Sequence, residues 1–132
     1  MTSKFLLGTY TRRASKGIYS VELNTETKTL ENIELVSEVG NPTYLDTNSD
    51  QSIIYTVVSE DGEGGLLSLV RNESGEYERK AIVLDEGESP CYVALDEDRQ
   101  LVYTAYYHTG EVMVFKTDTE GHLDLVDKVT HK

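Results

Sequence analysis

Short apolar or alternating stretches run the length of this chain, and each is closed by a cluster of Gly, Asn, Asp or Ser. Such stretches, recurring roughly every eight to twelve residues, are the signature of strands joined by tight turns. The pattern predicts strands near Phe5–Thr9, Gly17–Leu23, Ile33–Ser37, Thr43–Thr47, Ile53–Ser59 and Leu66–Arg71, and further strands near Glu78–Val83, Cys91–Asp96, Leu101–Tyr107, Val112–Lys116 and Leu123–Val129. No window places apolar residues at helical spacing between recognisable caps. The fold class that follows is all-β.

The strands repeat. Asn41-Pro42-Thr43-Tyr44-Leu45, a polar turn and Ile53-Ile54-Tyr55-Thr56 return as Ser89-Pro90-Cys91-Tyr92-Val93, a second polar turn and Leu101-Val102-Tyr103-Thr104. Pro42 and Pro90, Tyr44 and Tyr92, Tyr55 and Tyr103, and Thr56 and Thr104 are each 48 positions apart by subtraction. Gly64-Gly65-Leu66-Leu67-Ser68-Leu69 returns as Gly110-Glu111-Val112-Met113-Val114-Phe115, and Gly17–Leu23 is an earlier version. A period of this size built from short strands predicts a β-propeller of four-stranded antiparallel blades, strands A to D.

Counting strands sets the phase. The chain enters at a B strand, completes a partial blade over about 1–39, and continues with blades over about 40–86 and 87–132. Under three blades are therefore present, where propellers have about four to eight, and the expectation is the N-terminal part of a single, larger propeller domain. The B–C loops (Thr11–Lys16, Glu60–Gly64, His108–Gly110) and D–A loops (Glu38–Asn41, Asp85–Ser89) open on one rim. The A–B and C–D turns open on the other. Asp50 and Asp98 are expected to hold the A–B turns, where Asp tolerates the left-handed backbone.

Composition narrows the partners. Acidic residues outnumber basic ones 24 to 12, for a formal charge of −12. That field repels phosphate backbones and anionic lipid, so neither nucleic acid nor a membrane is expected as a partner. A single cysteine, Cys91, precludes an intrachain disulfide and fits a cytoplasmic location. Its apolar surroundings predict a buried small hydrophobe rather than a reactive thiol. There is no GxSxG elbow, no phosphate-binding GxxxxGK[ST] loop and no Cys/His metal spacing; no metal or cofactor is expected.

The segments Gly87–Val93 and Val102–Val112, together with Gly8–Thr11, Gly17-Ile18-Tyr19, Asn41–Leu45 and Tyr55–Glu60, resemble the lactonase-type 6-phosphogluconolactonases. The resemblance covers essentially the whole chain. It implies a seven-bladed propeller that hydrolyses a sugar lactone, 6-phosphogluconolactone to 6-phosphogluconate, in the pentose phosphate pathway. It also implies that the main catalytic His, Glu and Arg groups lie in middle blades beyond Lys132, which leaves this piece without full activity by itself. Tyr106 departs from the family, which usually has Asn there. The alternative function is a non-catalytic propeller that binds a partner at its rim.

Lactone hydrolysis needs a placed water, a base and donors for the oxyanion. Glu60, at a B-strand end with a counterpart in that family, is a candidate base, against a plain reading as a solvated loop acid. His108 is the second catalytic candidate, since an imidazole can take a proton near neutral pH; the alternative is loop packing. Arg12, Arg13 and Lys16 are the densest basic group of an acidic chain and candidates for binding an anionic substrate. Tyr10 and Tyr107, at equivalent strand ends, are candidates to line the same mouth, with core packing as the competing role. Tyr44, Tyr55, Tyr92 and Tyr103 repeat with the blades and are read as packing.

Overall fold

Every predicted stretch forms a strand in the computed structural model, which describes residues 2–131. The first sheet contains β1 (Thr2–Leu7), β2 (Gly17–Asn24) and β3 (Thr29–Glu38). The second contains β4 (Leu45–Thr47), β5 (Ile53–Glu60), β6 (Glu63–Arg71) and β7 (Tyr77–Glu86). The third contains β8 (Tyr92–Asp96), β9 (Leu101–Ala105), β10 (Glu111–Lys116) and β11 (Asp124–Thr130). Each sheet is an antiparallel meander in chain order, so every neighbouring pair is joined by a local connection.

The central sheet explains the densest apolar run. Ile53, Tyr55, Val57 and Leu66 face the third sheet and pack with Val93, Val102, Met113 and Phe115. The intervening Ile54 and Val58, with Leu67 and Leu69, face the first sheet and pack with Ile18 and Val39. Successive strand residues point to opposite faces, so a strand covered on both sides must be apolar at nearly every position. Ile53 to Val58 are accordingly all buried.

Adjacent sheets are also tied by polar contacts. β4 and β8, the first strands of their sheets, lie against each other, and Asp46 Oδ2 accepts the Leu95 amide at 2.8 Å. Glu97 accepts the Ser49 amide at 2.9 Å, and the buried Tyr55 hydroxyl meets Thr117 Oγ1 at 2.7 Å. Tyr44 and Tyr92, one repeat apart, place their rings 4.9 Å from each other. The repeat therefore brings like positions together across the blade boundary. Beyond this three-sheet stack, Phe5, Leu7, Ile33 and Leu35 are exposed on the first sheet, and β11 is exposed throughout.

Several details differ from the sequence reading. β1 ends at Leu7 because Thr9 leaves the sheet, its Oγ1 donating to the Gly17 carbonyl at 2.6 Å. β9 stops at Ala105, since the Tyr106 carbonyl accepts the Gly110 amide to close a turn. In the A–B turns the left-handed residues are Gln51 (φ 59°) and Gln100 (φ 55°), not Asp50 and Asp98. Asp50 instead accepts the Ser52 amide, a cap that needs no unusual backbone at the aspartate itself. Cys91 is exposed, not buried: Pro90 fills the buried position, and the Cys91 thiol donates outside it to the Ala105 carbonyl.

Candidate functional site

The loops entering β2, β4 and β8 and the turn after β9 meet on one rim. Between them lies an open cleft of about 540 Å³, lined by Tyr10, Arg12, Asn41, Ser89, Tyr107 and His108 among others. Concave, partly polar surfaces at such a rim are where ligands bind.

Tyr10 and Tyr107 are 65% and 81% exposed, so neither is a core tyrosine in these three sheets. The Arg12 guanidinium lies 5.3 Å from the centre of the Tyr10 ring, within the range of a cation–π contact. Of the five arginines in the sequence, Arg79 and Arg99 are paired with carboxylates and Arg71 donates to the Asp50 carbonyl. Among the described residues Arg12 meets only an aromatic ring, and Arg13 lies beside it along the lip formed by Tyr10, Arg12 and Ser15. Lys16 is exposed but sits at the foot of the loop. Its backbone is used there, its amide donating to Tyr19 Oη and its carbonyl accepting the Val39 amide.

Asn41 holds that loop. Its Oδ1 accepts the Thr11 amide at 2.8 Å and Thr11 Oγ1 at 3.2 Å, while its own amide donates to Thr11 Oγ1 at 3.1 Å. The residue has φ 45°, a left-handed conformation that Asn adopts more readily than most side chains. Gly40 beside it has no room for a side chain, because a Cβ there would run into the Ser59 carbonyl.

Glu60 points into this framework. Arg79 donates to its two oxygens at 2.9 and 2.7 Å, and the Gly40 amide donates to Oε2 at 2.9 Å. These donors, the arginine first, hold its carboxyl below the ordinary 4.5. Glu60 does not line the cleft, whereas its repeat counterpart 48 positions on, His108, does. His108 Nε2 stands 3.9 Å from Glu88 Oε2, and its ring meets Tyr107 edge-on at 5.3 Å. Glu88 is in turn the counterpart of Gly40, again by 48. Both blades thus join a B-strand end to the preceding crossover, the second sheet by a carboxylate on an amide and the third by an imidazole near a carboxylate.

The structure brings Tyr10, Arg12, Tyr107 and His108 to one cleft, puts Arg13 on its lip, and leaves Glu60 behind the wall and Lys16 at the loop's base. Sequence reasoning did not single out Asn41, Glu88 or Arg79, and it read Cys91 as packing instead of as a residue of the rim. Asn41 and Cys91 each flank a repeated proline, the one signal that could have marked them; Arg79 left none, being 19 residues from its partner on an outer strand. Among the described residues no three or more His, Cys, Asp or Glu side chains converge as a metal site. No helix among them is long and apolar enough to cross a membrane.

A stack of antiparallel meanders with a polar cleft where the crossovers meet is the architecture of a β-propeller. The chain belongs to the seven-bladed β-propeller lactonase family, which it matches over residues 4–132. It is 43% identical over 118 residues to the 6-phosphogluconolactonase of Bacillus subtilis, covering 89% of this chain and 34% of that protein. A crystal structure of a Lactobacillus plantarum protein superposes with a TM-score of 0.90 at 41% identity, over 99% of this chain and 38% of the other. The periplasmic gluconolactonase of Pseudomonas aeruginosa superposes with a TM-score of 0.84 at 25% identity, over 99% and 39% respectively. The chain therefore spans little more than a third of the length of the relatives it matches.

Proposed function

We propose that the cleft is the N-terminal share of a site that hydrolyses a phosphorylated sugar lactone, 6-phosphogluconolactone, to its open-chain acid. The observation that carries this reading is the pair Arg12 and Arg13, guanidinium groups without a carboxylate partner at the mouth of a cleft in a chain of net charge −12. An unpaired guanidinium fork matches phosphate geometry, and its placement reverses the unfavourable global field where an anion must enter. The names of the Bacillus and Pseudomonas relatives support a lactone as the substrate class.

In this reading Tyr107 offers an aromatic face to the sugar ring and the Arg12–Arg13 lip takes the phosphate. His108 accepts a proton from the attacking water as the new C–O bond forms at the lactone carbonyl. The C–O bond to the ring oxygen breaks as that oxygen takes the proton back from the His108 imidazolium, leaving the open-chain acid, so hydrolysis consumes one water and needs no cofactor. Glu88 orients the imidazole. Glu60, committed to Arg79 and Gly40, is assigned to holding the wall rather than to moving a proton, since a carboxylate kept below its ordinary range is a weaker base. Lys16 contributes only to the local potential. The blades beyond this chain supply the oxyanion donors and the rest of the catalytic set. A phosphorylated substrate and the lone cysteine suit the cytoplasm.

The test follows acid release from 6-phosphogluconolactone by the full-length protein, with spontaneous hydrolysis subtracted. The expected result is saturable turnover, reduced about 100-fold or more in kcat by His108→Ala. Release at the spontaneous rate would overturn the reading.

A further inference from the structure

The Arg79 guanidinium makes three hydrogen bonds on the wall behind the cleft, two to Glu60 and one, at 3.1 Å, to the Glu38 carbonyl at the end of β3. It therefore grips both ends of a short span. Glu38 begins the crossover between the first and second sheets, and Glu60 grips Gly40 two residues further on at 2.9 Å. The Gly40 carbonyl is fixed as well, accepting the Ser59 amide at 2.8 Å. Next in the chain is Asn41, whose reciprocal bonds with Thr11 set the start of the loop that carries Arg12 and Arg13. An unbroken run of polar contacts thus leads from an outer-strand arginine to the free guanidinium groups.

The third sheet shows that a blade can do without this device. The bulge at Ser68/Leu69 in β6 recurs at Val114/Phe115 in β10, and the register that pairs Leu69 with Arg79 pairs Phe115 with Leu125. Leu125 thus stands where Arg79 would, His108 where Glu60 would and Glu88 where Gly40 would. Among the described residues the clamp occurs only in the second sheet, against the crossover that holds the arginine loop.

We propose that Arg79 is a positioning residue for phosphate recognition, acting through Glu60, the Gly40–Asn41 crossover and Thr11 to place Arg12 and Arg13. The inference rests on the reading of the Arg12–Arg13 lip as the phosphate contact. Only a planar fork can bond both Glu60 oxygens and the Glu38 carbonyl at once, so lysine is a poor substitute. Loosening the crossover leaves the arginines present but misplaced, and displacements near 1 Å at a binding group are costly.

The experiment is calorimetric binding of 6-phosphogluconate and of gluconate to the full-length protein. The variants are Arg79→Gln, Arg79→Lys and Thr11→Val, with Arg99→Gln as the control for loss of an exposed ion pair, that with Asp96 at an A–B turn. Arg79→Gln and Thr11→Val are expected to weaken 6-phosphogluconate by about 5- to 10-fold and gluconate by less than about 2-fold. Arg79→Lys should fall between, and Arg99→Gln should match the wild type. Equal weakening of both ligands, an Arg79→Gln effect no larger than that of Arg99→Gln, or no preference for the phosphorylated ligand in the wild type would overturn the proposal. Should Arg79→Gln fail to fold, Thr11→Val decides, because it cuts the same run at its far end. Lactone turnover with no effect of these variants removes this inference alone. A preserved, Arg79-dependent phosphate preference without turnover removes the hydrolase reading alone.

Discussion

Thr56 and Thr104 occupy the same repeat position and are both fully buried, yet their hydroxyls fare differently. Thr56 Oγ1 donates to the Val57 carbonyl at 2.9 Å and lies 3.2 Å from the Tyr44 carbonyl, whereas Thr104 Oγ1 has no hydrogen-bond partner among the described residues. A desolvated hydroxyl without a partner costs free energy, and a bonded one contributes about 1 kcal/mol. Thr104→Val is therefore expected to leave stability unchanged or raise it by up to about 1 kcal/mol, and Thr56→Val to lower it by about 1 kcal/mol. Denaturant unfolding of the two variants measures the contrast, and an equal loss from both would contradict it. Glu60 supplies a second residue-scale test. Its carboxyl is held below the ordinary 4.5 by Arg79 and the Gly40 amide, so it binds protons less readily folded than unfolded. The contribution of the clamp is then complete above about pH 4.5 and fades as pH falls through the lower folded value. Carboxyl NMR should find the Glu60 pKa below its ordinary 4.5 in the wild type and returned towards 4.5 in Arg79→Gln. Such partnerships were not legible in the sequence: Glu60 reads there as a candidate base or a solvated loop acid, because Arg79 is 19 positions away on a strand with no motif.

At the scale of strands and turns the sequence said much more, because periodicity is a property of local stretches. β5 announces its double burial by having no polar side chain from Ile53 to Val58 except Thr56 and the Tyr55 hydroxyl. The repeat survives in register, down to equivalent bulges in β6 and β10, where a loop shorter by two residues makes the offset 46 instead of 48. Turn detail was less accessible. Asx capping and left-handed backbone favour the same residues in sequence, and here Asp50 supplies the cap while Gln51 adopts the conformation. Cys91 was misjudged for a related reason: the apolar run around it marks the strand, not which residue before it turns outward. Close approach of strands gives the sharpest element-scale prediction. A Cβ at Gly65 in β6 would collide with the Val83 carbonyl of β7, and backbone cannot yield as a side-chain tip can. Gly65→Ala should cost about 3 kcal/mol, the upper end of overpacking penalties, read as a shifted denaturant midpoint. A loss below about 0.5 kcal/mol would show that the β6–β7 pairing is looser than described.

For the whole molecule, the phase of the repeat places Arg12, Glu60 and His108 on one rim, with Tyr10 and Tyr107 at its strand ends; Tyr10, Arg12, Tyr107 and His108 line one cleft, and Glu60 does not. Propeller topology accounts for the shared rim, since alternate connections must open at the same end. The same topology explains what sequence alone could not weigh. Whether a rim arginine is free or paired depends on crossovers packed beside it, here on Asn41 and on the clamp behind Gly40. The unpaired Arg12–Arg13 lip is proposed to make this rim select a phosphorylated lactone. That selectivity is tested most directly by comparing kcat/KM of the full-length protein for 6-phosphogluconolactone and for the unphosphorylated gluconolactone, in the wild type and in Arg12→Ala/Arg13→Ala. The wild type is expected to prefer the phosphorylated lactone clearly, a preference lost by about 10-fold or more in the double variant chiefly through KM. Equal use of the two lactones by the wild type, or a preference untouched by removing both arginines, would contradict it.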